Sequence, residues 1–203
     1  MRNRIRTPLS LLLAIAAISA LATVSAAQTP PVQQESPRAE LALSYSYVHS
    51  NVPPGGCGCF SLNGGSATFA WPFGSGRFEL AGDVNVVHAG GVSSQSESLT
   101  LSTYTAGTRY LVPVHSSRIQ PFGEALIGLA HSSGTLVQGS NPGSANAGAA
   151  FAANIGGGLD LRTSPRFSIR LVEADYLLTT FDNGSNNHQN NVRIGAGVVV
   201  HFR

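Results

Sequence analysis

"NNVRIGAGVVVHFR", residues 190–203, closes the chain and keeps a two-residue rhythm to its last positions. Val192, Ile194, Ala196, Val198, Val200 and Phe202 share one phase, while Arg193, Gly195, Gly197, Val199 and His201 share the other. A period of two is the period of a strand, whose successive side chains leave opposite faces. Chain ends usually fray, so a strand carried to Phe202 implies a partner that holds the end in place.

Working back from this stretch, seven more segments have strand character, at about 38–48, 65–73, 77–87, 98–112, 118–131, 149–162 and 166–178. The third is the cleanest, with Phe78, Leu80, Val84 and Val86 set against Arg77, Glu79, Asp83 and Asn85. In the fourth, Leu99 and Leu101 do not share parity with Tyr104, Ala106 and Tyr110, and a bulge near Thr103 would restore the pattern. In the seventh, Glu173 and Asp175 fall in the apolar phase unless a second bulge intervenes. Breaks at 74–76, 113–117 and 163–165 are short, whereas those after the first, third, fifth and seventh segments are longer and rich in Gly, Asn and Ser. Short turns at one end and loops at the other are the habit of outer-membrane barrels.

Composition decides which phase faces what. Charged residues make up 11% of the chain, there is no Lys, and Gly supplies 23 residues. A soluble domain normally carries about a quarter charged residues, and a soluble barrel would show them on its outer phase. Here the second phase is Gly, Ser, Thr, Asn and Ala with occasional Arg, Glu and Asp, which suits a crowded interior. The apolar phase is then expected to face lipid, with Tyr45, Tyr47, Trp71, Phe73 and Tyr110 near strand ends, where aromatic girdles sit.

The first residues read as a secretory leader: Arg2, Arg4 and Arg6, an apolar run from Leu9 to Leu21, then small residues around Ser25, Ala26 and Ala27. The competing reading, a retained anchor, meets a run short of the ~20 residues that a spanning helix needs. The expected organisation is a signal peptide at 1–27, a flexible Pro-rich periplasmic lead at 28–37 and a barrel domain at 38–203. Removing the leader takes three of the 12 basic groups and none of the 10 acidic ones, leaving a formal charge of −1. No basic excess remains for nucleic acid.

The segments "RIQPFGEALIGLAHS" (118–132), "RFSIRLVEADYLLTTF" (166–181) and "NNVRIGAGVVVHF" (190–202) resemble the small outer-membrane barrel superfamily of OmpA type, including porin-family barrel domains. The likeness covers essentially all of 38–203. It implies an eight-stranded antiparallel up-and-down transmembrane barrel in the bacterial outer membrane. It also implies that Val198, Val200 and Phe202 form the strand read by the barrel-assembly machinery, although Arg203 follows the terminal aromatic. Outer-membrane lipid is the other implied partner, and an extracellular or periplasmic partner is left open.

Three groups could carry chemistry. Cys57 and Cys59, the only cysteines, lie in the first long loop and admit either a local disulfide or, with His49, a zinc or copper site. His131-Ser132-Ser133 is similar to the His-x-Ser arrangement of barrel lipid A deacylases, but Glu124 has the opposite strand parity and the wider pattern is absent. "IGGGLD" at 155–160 lies in a strand with no helix to follow, so it does not read as phosphate binding. No catalytic set, resident metal or cofactor is therefore expected.

The charges are more informative. Glu40, Arg77, Glu79, Asp83, Arg109, Glu124, Asp160, Arg162, Arg170 and Arg193 fall, or can fall, in the lumen phase. Isolated charges there would be costly, which predicts pairing. An eight-stranded barrel is only just wide enough for its own side chains, so the expectation is a salt-bridged plug and a structural or surface-interaction role. The alternatives are a small diffusion pore and an enzyme acting on outer-membrane lipid.

Overall fold

Eight antiparallel strands form one closed sheet in a computed structural model that describes residues 39–50, 60–74, 76–91, 98–116, 118–134, 149–181 and 187–202. The strands are β1 (Glu40–Ser50), β2 (Phe60–Phe73), β3 (Phe78–Gly90), β4 (Ser98–Leu111), β5 (Ile119–Ser133), β6 (Ala149–Arg162), β7 (Phe167–Thr179) and β8 (Gln189–His201). Each pairs with its neighbours in sequence, and β8 returns to β1 from Glu40↔His201 to His49↔Val192. Beyond that ladder the Phe202 amide donates to the Ala39 carbonyl at 2.7 Å. The last residues therefore hold their rhythm because they close the barrel, which leaves no unpaired backbone to lipid. The leader, the Pro-rich lead, Cys57 and Cys59 lie outside the described residues.

The β2–β3 turn is tight because Gly74 and Gly76 take positive φ of 61° and 75°, a region that side chains other than Gly enter at a cost. At the β6–β7 turn the amides of Thr163 and Ser164 both donate to the Phe167 carbonyl. The other end carries the long connections, 51–59, 91–97, 134–148 and 180–188.

The outer surface is inverted relative to that of a water-soluble protein. Leu80, Ile127, Ile155, Trp71, Leu129 and Tyr45 stand between 57% and 64% exposed. At the turn end the Phe69 and Trp71 rings pair at 6.3 Å, and Phe78 contacts both Phe73 at 6.1 Å and Tyr110 at 5.0 Å. In the loop-side half of β1 the Tyr45 hydroxyl donates to Asn63 Oδ1 at 2.5 Å, and Tyr47 shares a 2.7 Å hydrogen bond with Ser61. Apolar flanks with aromatic borders match a bilayer, so the protein is a transmembrane barrel of the bacterial outer-membrane type. No helix among the described residues is long and apolar enough to cross a membrane; the chain crosses with strands.

Two phase questions resolve differently. β4 pairs with both neighbours without a break, so there is no bulge at Thr103. Leu101 simply points inward with Thr103, Thr105 and Arg109. In β7 the register does shift between Arg170 and Glu173. Leu171 and Val172 both face out, and the extra residue brings Glu173 and Asp175 inside.

Candidate functional site

The lumen holds two stacked layers. Towards the turns lie the charges, and towards the loops lies an apolar layer of Val48, Leu62, Val87, Ala89, Leu101, Ala130, Ala152 and Leu177. The apolar layer departs from the expectation of an interior made of small and polar residues. Its members occupy the inward phase near the loop ends of their strands, where Phe60, Leu99 and Phe181 pack against them.

Three arginines organise the charged layer, and all three are buried. Arg109 on β4 places Nη1 2.6 Å from Glu40 and Nη2 2.9 Å from Glu124, with Glu79 at 4.0 Å. Arg170 on β7 grips Asp160 with two nitrogens, at 2.9 and 3.1 Å, and Glu173 with the third, at 2.6 Å. Arg193 on β8 reaches Asp175 at 2.8 Å, Asp83 at 2.7 Å and Glu173 at 2.5 Å, with Glu124 at 3.9 Å. Thr68 donates to the remaining oxygen of Asp83 at 2.8 Å. Glu124 and Glu173 bridge neighbouring guanidiniums, so the pairs form one continuous chain from Glu40 to Asp160. At the turn-end mouth His201 stands 3.4 Å from Glu40 and shares a 2.8 Å hydrogen bond with Ser168.

Eight of the ten expected lumen charges are there. Arg77 and Arg162 are not, because Arg77 lies in the turn before β3 and Arg162 is the last residue of β6, both exposed at the rim. Where a strand meets a turn, parity no longer assigns a face. Glu173 and Asp175 take their place in the network through the β7 bulge.

Phe122 was legible by parity with Glu124 but belongs to no charged pattern. Its ring lies within the lumen against two guanidiniums, with the Arg109 Cζ 4.3 Å and the Arg170 Cζ 4.5 Å from the ring centroid. A cation facing the electron-rich ring is attracted to it, and the more so where water is excluded. The glycines of "IGGGLD" make room for this layer. A Cβ on Gly158 would stand 2.6 Å from the Phe122 ring, and one on Gly156 would stand 2.1 Å from the Asp175 carboxylate.

Glu124, Glu173 and Asp175 bring oxygens within 4.8 Å of one another, a spacing that suits a cation. The cation already there is the Arg193 guanidinium, in contact with Glu173 and Asp175 and near Glu124. The His131 group is divided by the barrel wall. Glu124 is inside and bound to Arg109, whereas His131 and Ser133 are exposed at the loop end of β5. His49 is exposed at the loop end of β1, sharing a 3.3 Å contact with Ser61. Val198 and Phe202 face outward, as their phase requires, and Val200 is half-buried on the same side.

No family model matches the chain, and no curated protein matches its sequence. Among solved structures it is similar to Neisserial surface protein A, with a TM-score of 0.62 at 14% identity, over 81% of this chain and 97% of that one. It is also similar to Ail, the attachment invasion locus protein of Yersinia pestis, with a TM-score of 0.51 at 16% identity, over 81% and 99%. A structure of Ail in complex with the heparin analogue sucrose octasulfate gives 0.50 at 17% identity over the same shares. At these identities the likeness establishes the fold, a small outer-membrane barrel.

Proposed function

We propose that the barrel is sealed and non-enzymatic, and that it serves as a structural or surface-interaction protein working through its loop end. The observation that carries this reading is the double obstruction of the lumen. A solute would have to part the Arg109–Glu124–Arg193–Glu173–Arg170 chain and then the apolar layer around Leu62, Leu101 and Leu177. Breaking buried charge pairs costs several kcal/mol each, far above thermal energy. Ail is named for attachment and invasion, and Neisserial surface protein A for the cell surface. Those names belong to those proteins, but contact with an outside partner is the corresponding use of this fold here.

The test is conductance. The purified protein in a planar bilayer is expected to give no stable steps, whereas replacing Leu62, Leu101 and Leu177 together with Ser and Arg193 with Ala is expected to open a path. Steady steps from the unmodified protein would overturn the sealed reading. They would favour the pore, and one feature says which kind. Seven buried carboxylates (Glu40, Glu79, Asp83, Glu124, Asp160, Glu173 and Asp175) face three buried arginines, so any such pore would select cations.

A further inference from the structure

Three buried oxygens in the middle of the lumen, Glu124 Oε1, Asp175 Oδ1 and Asn154 Oδ1, accept no hydrogen bond from the described residues. Their residues are 5% exposed or less, so bulk water does not serve them either. The ladders bring the three together around Gly156. Glu124 on β5 and Asp175 on β7 both stand opposite Gly156 of β6, and Asn154 is the next inward residue on β6, one step towards the loops. Gly156 has no side chain to keep its neighbours apart. A Cβ there would stand 2.1 Å from Asp175 Oδ1, which puts that oxygen directly over β6. Asn154 is flanked in its own rung by Leu126 and Leu177, both buried, so among its ladder neighbours the polar side is the adjoining carboxylate rung. One oxygen each from Glu124, Glu173 and Asp175 lies within 4.8 Å of the others.

The arginines account for the other oxygens of this group. Arg193 donates to Asp175 Oδ2 at 2.8 Å and to Glu173 Oε1 at 2.5 Å, Arg170 to Glu173 Oε2 at 2.6 Å, and Arg109 to Glu124 Oε2 at 3.0 Å. Arg193 Nη2 stands 3.9 Å from Glu124 Oε1, beyond hydrogen-bond reach. What remains is a set of acceptors without a donor, and an unmatched buried acceptor is costly. A water molecule has too few hydrogens to serve every oxygen of the set, and it brings no charge to the two carboxylates.

We infer that Glu124, Asp175 and Asn154 hold a calcium ion beside the Arg193 guanidinium. The donor set is all oxygen, two carboxylates and an amide carbonyl, which is the chemistry of a hard cation. Calcium accepts such ligands in irregular number and geometry, whereas magnesium demands a near-ideal octahedron. The ion ties β5, β6 and β7 together next to the β7 bulge and enters as the barrel closes around it. The site lies inside the wall and is independent of the role proposed for the loop end.

The experiment offers or withholds the ion before the lumen closes. The protein, purified from membranes, is unfolded in urea and refolded into a neutral detergent with calcium chloride, with magnesium chloride or with EDTA. Unfolding in urea is then followed by the gel mobility of unboiled samples. Calcium at about a hundredfold excess over its Kd is expected to raise the midpoint by about 1 M relative to EDTA, and elemental analysis after gel filtration is expected to find stoichiometric calcium. Asn154→Leu, which matches its rung neighbours, should fold and lose most of the shift. The comparison of calcium with EDTA on the unmodified protein stands whether or not that variant folds. Equal midpoints in calcium and EDTA would overturn the inference. A shift that survives Asn154→Leu would also overturn it, by placing the ion elsewhere on the chain. An equal or larger shift in magnesium would overturn the choice of calcium.

Discussion

Arg193→Met removes the centre of the lumen network while keeping most of the side-chain volume. The guanidinium makes three contacts of 2.5–2.8 Å, to Glu173, Asp83 and Asp175, and all three carboxylates are buried. Removing one partner of a buried pair costs about 3–5 kcal/mol, because the other charge is left uncompensated. Three contacts do not triple the figure, since Thr68 still serves Asp83 and Arg170 still serves Glu173. Asp175 loses its arginine outright, so the expected loss is about 4 kcal/mol. With an m-value of about 2 kcal/mol/M, the urea midpoint falls by roughly 2 M. The assay is reversible urea unfolding in detergent, read by gel mobility of unboiled samples and by tryptophan emission from Trp71, the single Trp of the chain. Asp175→Asn should destabilise the unmodified barrel but cost less, or even restore stability, in the Arg193→Met background. An Arg193→Met midpoint within about 0.5 M of the parent would refute the account, as would an equal cost for Asp175→Asn in both backgrounds.

Phe122→Ala should cost about 3–5 kcal/mol by leaving a void beside Arg109 and Arg170, and Phe122→Leu clearly less; the same unfolding assay separates them. Gly158→Ala should cost about 1–3 kcal/mol, because the new methyl meets the Phe122 ring and the Val172 carbonyl at 2.6 Å. Gly65→Ala, whose nearest neighbour is the Ser44 carbonyl oxygen at 3.5 Å, should be nearly neutral and serves as its control. Arg77→Gln and Arg162→Gln should each lie within about 0.5 kcal/mol of the parent, whereas Arg109→Gln should unfold at clearly lower urea; equal effects would return Arg77 and Arg162 to the network.

Strand number, pairing order and outward face were legible because one rule, period two, repeats along every segment and a slip of one residue would invert a whole strand. The lumen charges were legible by the same rule, and they failed where it stops applying. Arg77 and Arg162 occupy strand ends, where the chain is turning and neither face is imposed. Glu173 and Asp175 fell in the apolar phase unless a bulge intervened, and one added residue at Leu171-Val172 is that bulge, which reverses everything after it. Two successive apolar residues ahead of two acids are the signal that marks it. For Leu101 the error ran the other way. An inward leucine looked like a phase change because the lumen was taken to be polar throughout, whereas the loop half of the barrel has an apolar core. Phe122 needed the third dimension, since nothing along the sequence brings Arg109 and Arg170 to one ring.

The split lumen answers a constraint from outside the barrel. Before folding, each strand must cross an aqueous compartment without reading as a membrane helix, which takes a run of 18 or more apolar residues. It must also avoid the uniform apolar stretches that aggregate. With the outer phase committed to lipid, only the inner phase can interrupt the apolar run. Polar and charged side chains there keep the chain deliverable, yet once the barrel closes they are desolvated and must satisfy one another. That is why the guanidiniums touch two or three carboxylates each, and why Phe122 and the β6 glycines are fitted around them. A buried ion pair is seldom more stable than a well-packed apolar replacement. Replacing the whole Arg193 cluster with apolar residues of matching volume should therefore raise stability in detergent while lowering the yield of folded barrel in cells. That separation would assign the charges to delivery and register, with sealing of the lumen as the consequence of their having to pair.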